Sequence, residues 1–422
     1  MQITIIAGGS RGDVQPYVAL GRGLKQAGHT VRILSSDDFH DLVTDYGLEF
    51  FTTGGSAKAV AQRMQKLLEQ GKMLKMLAQM GRASQQQAVQ AAEQGLLACQ
   101  DSDLILGGLG GLFSGVALAE KLDIPFMPAY LVPFTPTSAF PGALTPLPQT
   151  PMTRWINKPS HRLAQQTMWQ PFRAADNKAR RQVLQLAPGS FWGPFAALKR
   201  QKQPVLYGYS PQVLPTPEDW DATLHVTGYW FLEPPDGWEA PMDLLHFLQS
   251  GPAPIYIGFG SMISSKPEEA ADIALQALAR TGQRGVLYTG WGRLKKEQLP
   301  ESVFMTDSIP HSWLFPQMAA VVHHGGVGTT AAGLAAGVPS IVTPFFADQP
   351  FWGQRVYELG VGPKPIARRR LTADNLTTAI ESVMSDGEMR KRAASLGERI
   401  RAENGIAQAV AIIEQSRSQE SR

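Results

Sequence analysis

Short apolar runs alternate with amphipathic stretches along most of the chain. Near the start, ITIIAGG reads as a strand, QPYVALGRGLKQAG as a helix closed by Gly28, and TVRILSS as a second strand. Strand, helix, strand in that order is a βαβ unit, which requires parallel strands and helices on the faces of the sheet. Further strands are predicted at DLILGG (103–108), IPFMPAY (124–130) and PVLYGYS (204–210). Residues 56–98, rich in Ala, Gln, Met and Lys with apolar positions at helical spacing, predict helices over the mouth of this domain. Methionine at that spacing reads as helix packing in preference to a lid over a ligand.

From Pro125 to Pro151 the chain carries eight prolines among Phe, Leu, Val and Thr, which excludes a continuous helix or a central strand and predicts a long apolar loop. FLEPPDGWEAP (231–241) has the composition of an interdomain linker. Beyond it the alternation resumes with APIYIGFGS, a helix over 267–282, RGVLYTG, SVFMTDSIP, AAVVHHGG, a helix from about 328, PSIVTPFF and a helix near 349–359. The expected fold is α/β, with two Rossmann-like, doubly wound parallel-sheet domains facing across a cleft. The domains span 1–231 and 242–400, the linker 232–241, and a C-terminal helix over 401–422 has the first domain as its candidate partner.

The totals agree with this picture. A chain of 422 residues is too long for one ordinary core. With 43% hydrophobic and 18% charged residues, and apolar runs broken by Gly or Pro, no transmembrane helix is expected. The first residues lack the basic segment of a signal peptide. One cysteine, Cys99, excludes an intrachain disulfide and a cysteine-built metal site, and places the protein in a reducing cytoplasm. A net charge of +3 with one basic run, Arg368 to Arg370, read as a solvated loop, gives no support to a nucleic-acid partner.

Candidate chemistry concentrates in VVHHGGVGTT (321–330). A strand feeds His323 and His324, then Gly325, Gly326 and Gly328 turn into a helix opened by Thr329 and Thr330. Glycines let a ligand approach the backbone, and the free N–H groups at a helix start carry partial positive charge. A diphosphate suits that site, with an imidazole and a hydroxyl adding hydrogen bonds. Two other strands end in GFGSM, bringing Ser261, and in PFFADQPFWGQR, where Asp348 and Gln349 offer a carboxylate beside an amide for vicinal hydroxyls. Diphosphate and polyhydroxyl sites together suggest a nucleotide sugar.

The stretch HSWLFPQMAAVVHHGGVGTTAAGLAAGVPSIVTPFFADQPFWGQRV resembles the donor-binding signature of family 1 glycosyltransferases of the GT-B fold. GGSRGDVQPYVALGRGLKQAGHTV resembles the start of the branch holding sterol 3-β-glucosyltransferases and bacterial natural-product glycosyltransferases. The resemblance implies an acceptor-binding first domain, a donor-binding second domain, and inverting, metal-independent transfer of a sugar to a hydroxyl of a small lipophilic acceptor. UDP-glucose is the expected co-substrate, with no further cofactor. It further implies that His324, Gly326, Gly328, Thr329, Thr330 and Ser261 hold the diphosphate, and Asp348 and Gln349 the sugar. Asp13 stands where plant members carry a catalytic histidine, beside Ser10, Arg11 and Gly12 in a loop near the reacting centre, and is the expected base. The position that holds an orienting aspartate in those members aligns with Gly108, so Asp13 would act alone. A carboxylate at its ordinary pKa of ~3.9 is a weak base for an alcohol unless burial raises it. For the nucleobase, Ser308 replaces the family's stacking tryptophan, leaving the backbone of Ile309 and the ring of Trp291 as candidate contacts, and keeping dTDP open beside UDP.

Other motifs are set aside. DSD (101–103) precedes its strand, at the end away from ligands, and DWD (219–221) lies in a proline-rich stretch. His323 points away from His324 and reads as structural. A UDP-sugar epimerase remains the rival, distinguished by having no use for the apolar 125–151 segment. A lipophilic acceptor also implies weak peripheral membrane contact, while oligomeric state leaves no trace in the sequence.

Overall fold

The computed structural model describes residues 1–60, 67, 72–144, 154–258, 267–288, 299–306 and 309–420. The chain divides into two compact units: residues 1–60, 72–232 and 404 onward form the first, and 233–403 the body of the second.

In the first unit β1 (Gln2–Ile6), β2 (Thr30–Ser35), β3 (Glu49–Thr52), β4 (Leu104–Gly107), β5 (Phe126–Tyr130), β6 (Val205–Tyr207) and β7 (Leu224–Val226) form one parallel sheet. Its order is β3-β2-β1-β4-β5-β6-β7. The crossovers include α1 (Arg11–Gln26), α2 (Met73–Cys99), α3 (Leu112–Leu122) and α4 (Arg154–Ala179). Ile3, Ile5, Ile33, Leu104 and Leu106 are all fully or almost fully buried, as expected of strands covered on both faces. After β1 the chain adds β2 and β3 on one side, then crosses to β4 on the other. The strand order therefore reverses between β1 and β4, where successive loops leave toward opposite faces and open a crevice.

Three sequence expectations change. The first helix begins at Arg11, so Arg11 and Gly12 occupy its first turn and only Ser10 precedes it, where a loop was expected. The cause is local: the Ser10 backbone N–H donates to Asp13 Oδ2 at 2.7 Å, a side chain reaching back to close the helix start. The strand predicted at 124–130 forms as β5 with Pro128 inside it, in the interior of the sheet, so the loop expected from Pro125 begins only after Tyr130. Pro128 pairs with Gly107 of β4 but precedes the first pair with β6, Ala129 with Leu206, where a missing N–H costs the ladder least. Finally, α4 forms in a stretch to which the pattern assigned no element, because Pro159 and Pro171 interrupt it. It packs on α2 so closely that a Cβ on Gly81 would come within 2.3 Å of the Pro171 carbonyl oxygen.

In the second unit β8 (Ile255–Gly258), β9 (Gly285–Tyr288), β10 (Val303–Thr306), β11 (Ala320–His323) and β12 (Ser340–Val342) make a parallel sheet of order β10-β9-β8-β11-β12. The helices include α5 (Pro267–Thr281), α6 (Val327–Ala336), α7 (Gln349–Glu358), α8 (Ala373–Ser385) and α9 (Gly387–Arg401), with shorter ones at Met242–Gln249 and His311–Leu314. Alternation along the strands splits the core. Ile255, Ile257 and Val322 face the alanines of α5 and Leu376 and Ile380 of α8, whereas Tyr256 and Val321 face Leu244, Leu314 and Phe315. Here the order reverses between β8 and β11.

A last helix, α10 (Gly405–Glu420), belongs to the first unit and lies along α1. Ala409 and Ile413 are fully buried, and His29 Nε2 lies 3.3 Å from the Glu414 carboxylate. A Cβ on Gly23 would fall 2.2 Å from Ile406 Cγ2, so the contact requires glycine in α1. Gly23→Val is expected to destabilise the first unit by ~1–3 kcal/mol through overpacking, seen as a lower urea midpoint. An unchanged midpoint would show that the two helices are not docked.

Candidate active site

The first cluster of candidate residues lies at the reversal of the first sheet. The segment leaving β1 passes through Gly8 and Gly9 into Ser10, the N-cap of α1. Gly9 has φ +130°, and a Cβ there would sit 2.5 Å from Asp13 Oδ2. Glycine is thus required both by the backbone conformation and by the carboxylate folded over it. A Cβ on Gly110, after β4, would lie 2.1 Å from the Gly8 carbonyl oxygen, so the two strand ends meet backbone to backbone.

Asp13 Oδ2 receives two hydrogen bonds from Ser10, at 2.7 Å from its N–H and 2.8 Å from its hydroxyl. Among the described residues Oδ1 accepts none. Burial pushes the Asp13 pKa above the ordinary carboxylate range, and the two Ser10 donors oppose that shift without cancelling it. One oxygen is therefore fixed and the other free, on a carboxyl group more basic than usual.

Gly108 explains why no second carboxylate stands behind Asp13. A Cβ at Gly108 would come 1.6 Å from the Tyr17 hydroxyl oxygen, so the ring of Tyr17 already fills that space. Tyr17 donates to the Ala129 carbonyl at 2.6 Å, and burial with the nearby Asp13 charge keeps its phenol protonated. The sequence reading passed over Tyr17. Its signal was the four-residue spacing from Asp13, which puts both on one face of α1.

The second cluster lies at the reversal of the second sheet, after β11. His323 is fully buried, and its Nδ1 accepts the Gly325 N–H at 3.0 Å, bracing the turn. Gly325 has φ +89°. His324 faces the other way: a Cβ on Gly326 would meet its Nε2 at 2.5 Å, so the imidazole lies over the N-cap of α6. Its Nδ1 is buried with no hydrogen-bond partner among the described residues. Burial lowers the His324 pKa to about 4 and that of His323 to about 3, so both rings are neutral at pH 7. The free N–H groups opening α6 and a neutral imidazole N–H then form a dipolar, uncharged setting for an anion. Gly328 and Thr329 are half-buried, while Thr330 is buried with its hydroxyl unpartnered among the described residues.

Asp348 caps α7, and its Oδ2 accepts the Trp352 indole N–H at 3.0 Å. Gln349 is buried, with Oε1 accepting the N–H groups of Phe345 at 2.8 Å and Phe346 at 3.3 Å. The amide NH₂ is the part of Gln349 left for another molecule. Ile309 packs beside the cluster of Leu314 and Phe315, and Trp313 lies against Trp238 with ring centroids 5.3 Å apart. Ser261, Trp291 and Ser308 lie outside the described residues.

The motifs set aside have structural occupations. Asp101 binds Arg32 at 2.7 Å, and Asp103 accepts the Gln2 N–H at 2.8 Å, both at the sheet end remote from Asp13. Asp219 ties Thr137, Ser138 and Lys158 together. Among the described residues no group of His, Cys, Asp and Glu could hold a metal ion, and no helix is long and apolar enough to cross a membrane.

Two parallel-sheet units, each with candidate residues at its strand reversal, form the α/β class of nucleotide-binding enzyme, and comparison with known proteins shows which kind. Residues 3–141 match the glycosyltransferase family 28 N-terminal domain, and residues 289–415 the erythromycin biosynthesis protein CIII-like C-terminal domain. A sterol 3-beta-glucosyltransferase of Arabidopsis thaliana is 36% identical over 97% of this chain and 67% of its own length. One from Cryptococcus neoformans is also 36% identical, over 98% of this chain and 27% of its own. The chain thus spans about two thirds of the plant relative and about a quarter of the fungal one. The calicheamicin glycosyltransferase CalG4 superposes with a TM-score of 0.67 at 18% identity, covering 100% of this chain and 99% of its own. The chain belongs to the glycosyltransferase family that includes the sterol 3-beta-glucosyltransferases.

The raised pKa of Asp13 fixes the sign of a pH effect. The native carboxyl keeps its proton above the pH at which the unfolded one loses it, so the native state loses stability as pH rises through that window. Asp13→Asn should therefore be more stable than the wild type at pH 7, with the difference vanishing below pH ~4. Thermal melts across pH 3 to 8 test this, and a variant less stable at pH 7 would contradict the buried charge.

Proposed function

We propose that the protein is an inverting, metal-independent glycosyltransferase that moves glucose from UDP-glucose to a hydroxyl of a sterol or similar small lipophilic acceptor. The observation that carries the reading is the pair of strand reversals, one supplied with a basic carboxylate and the other with an anion-binding turn. Glucose is preferred because relatives named as glucosyltransferases match along nearly the whole chain, and UDP because the donor-binding stretch resembles the family 1 signature. A neighbour solved with thymidine diphosphate, the Streptomyces enzyme SsfS6, shares 20% identity and supports the fold alone.

On this reading Asp13 Oδ1 takes the acceptor's hydroxyl proton while its oxygen attacks the anomeric carbon. The bond from that carbon to the diphosphate breaks, and its electron pair goes to the β-phosphate oxygen. His324 and the N–H groups of Gly328 and Thr329 stabilise the charge that develops there, with Ser261 and Thr330 adding hydroxyls. Asp348 and the amide NH₂ of Gln349 hold the sugar hydroxyls, and the donor-signature resemblance assigns Ile309, Ser308 and Trp291 to the nucleobase. A single displacement inverts the anomeric centre. On the acceptor side, Tyr130, Phe134, Phe195 and Phe113 form a chain of ring contacts with centroids 5.4–6.4 Å apart, in which the buried Tyr130 and Phe134 back the half-buried Phe195 and Phe113 as an apolar wall suited to an aglycone. Sterol-like acceptors reside in bilayers, and the enzyme collects them through weak peripheral contact.

Release of UDP from UDP-glucose, with and without sterol and phenolic acceptors, tests this. Asp13→Ala should cut acceptor-dependent turnover by ~10²–10⁴-fold while leaving UDP affinity unchanged. His324→Ala should weaken UDP binding by ~1.5–3 kcal/mol, the worth of a hydrogen bond to a charged group. Because the His324 pKa lies at about 4, its contribution to UDP binding should not vary between pH 6 and 8. Acceptor-independent turnover, or release from dTDP-glucose in preference to UDP-glucose, would overturn the assignment of acceptor or donor.

A further inference from the structure

We propose that the outer face of α4, together with the loop over 190–193, docks on an anionic lipid bilayer. The inference deepens the acceptor reading given above and rests on it for its purpose, while the surface itself stands on geometry. At about 100° per residue, Trp155, Arg162, Gln166 and Arg173 fall on one line along α4, with Pro159 and Leu163 beside it. Trp155 is 80% exposed and Leu163 60%.

The loop over 190–193 extends this stripe. Gln166 Nε2 donates to the Trp192 carbonyl and Gln170 Nε2 to the Phe191 carbonyl, each at 2.8 Å. The Trp169 indole N–H reaches the Ser190 and Phe191 carbonyls at 3.1 and 3.0 Å. Three side chains of α4 thus hold the loop by its backbone, while the Phe191 and Trp192 rings remain 55% and 68% exposed. Four large apolar side chains on one surface are costly in water and are explained by something that covers them.

Charge selects what covers them. Arg154 and Arg162 are exposed on this helix, and the Arg173 guanidinium lies 4.8 Å from the centroid of the Phe191 ring. The one carboxylate of α4, Asp176, is 6% exposed and bound to Arg180 at 2.9 Å. Aromatic rings among arginines, with no exposed acid on the helix, suit the headgroup depth of an anionic bilayer: rings enter the interface and guanidinium groups meet phosphate. The same loop is tied to the acceptor wall. Trp169 packs on Phe113 at 4.8 Å, so ring contacts continue from the exposed stripe to the C-terminal end of β5.

Sedimentation of the full chain with phosphatidylcholine vesicles, with or without phosphatidylserine, tests the surface. Three proteins are compared: wild type, the triple variant Trp155→Ser, Phe191→Ser, Trp192→Ser, and the double variant Arg162→Glu, Arg173→Glu. The wild type should partition at least tenfold more strongly to the anionic vesicles, the triple variant should lose at least tenfold, and the double variant should lose the preference for anionic lipid. UDP affinity, unchanged in all three, reports that they are folded. Equal binding to both vesicles, equal binding by wild type and triple variant, or a wild-type dimer that the triple variant abolishes without vesicle binding would each overturn the proposal. The expected vesicle binding without sugar transfer to any acceptor would uphold the surface and overturn the enzymatic reading.

Discussion

A parallel sheet presents the carboxyl ends of all its strands along one edge, and a chain that builds strands first to one side and then to the other must part its connections somewhere along that edge. Everything of functional interest in this protein depends on where that parting falls. In the first unit it lies between β1 and β4, and in the second between β8 and β11. The glycines at both places answer the same demand. Gly8 and Gly110 let two backbones touch, Gly9 admits the Asp13 carboxylate, and Gly326 admits the His324 imidazole. A Cβ at any of these positions would fill the space in which the candidate groups stand.

Burial then sets the character of those groups by opposite routes. Desolvation disfavours charge, so the same loss of water makes Asp13 a stronger base and His324 a weaker one. The two adjacent histidines divide their duties by pointing apart. His323 spends its Nδ1 on the turn backbone, and His324 keeps a buried nitrogen free of protein partners among the described residues. Neutral donors at a helix start can stabilise an anion without binding it so strongly that it fails to leave.

Much of the architecture was legible because the strands are short, two-sided apolar runs such as ITII and AVVH, bounded by glycine and followed by amphipathic helices. What escaped reading has physical causes. EFFT and LHV are brief outer strands whose pairing comes from their neighbours, not from a periodic pattern. Prolines hid α4, and they set a loop reading from Pro125 against the strand that IPFMPAY itself predicted and that forms as β5. In the site, Asp13 and His324 stood out through their motifs, but their surroundings depend on packing. Tyr17 filling the space at Gly108, or the Gln349 oxygen spent on the Phe345 and Phe346 backbone, joins groups whose relation only the folded chain reveals.

The docking of α10 on α1 has a consequence for how the protein comes into being. Residues 404 onward complete the unit that residues 1–60 begin, so the second unit is spliced between parts of the first. During synthesis from the N-terminus, α1 must wait with its Gly23 surface bare until some 380 further residues have left the ribosome, a separation of the kind that slows assembly. The second unit, whose body is continuous, has no such dependence and can finish first. Its folding shortens the path between Gly23 and Ile406, making the later-synthesised unit the one that helps close the earlier.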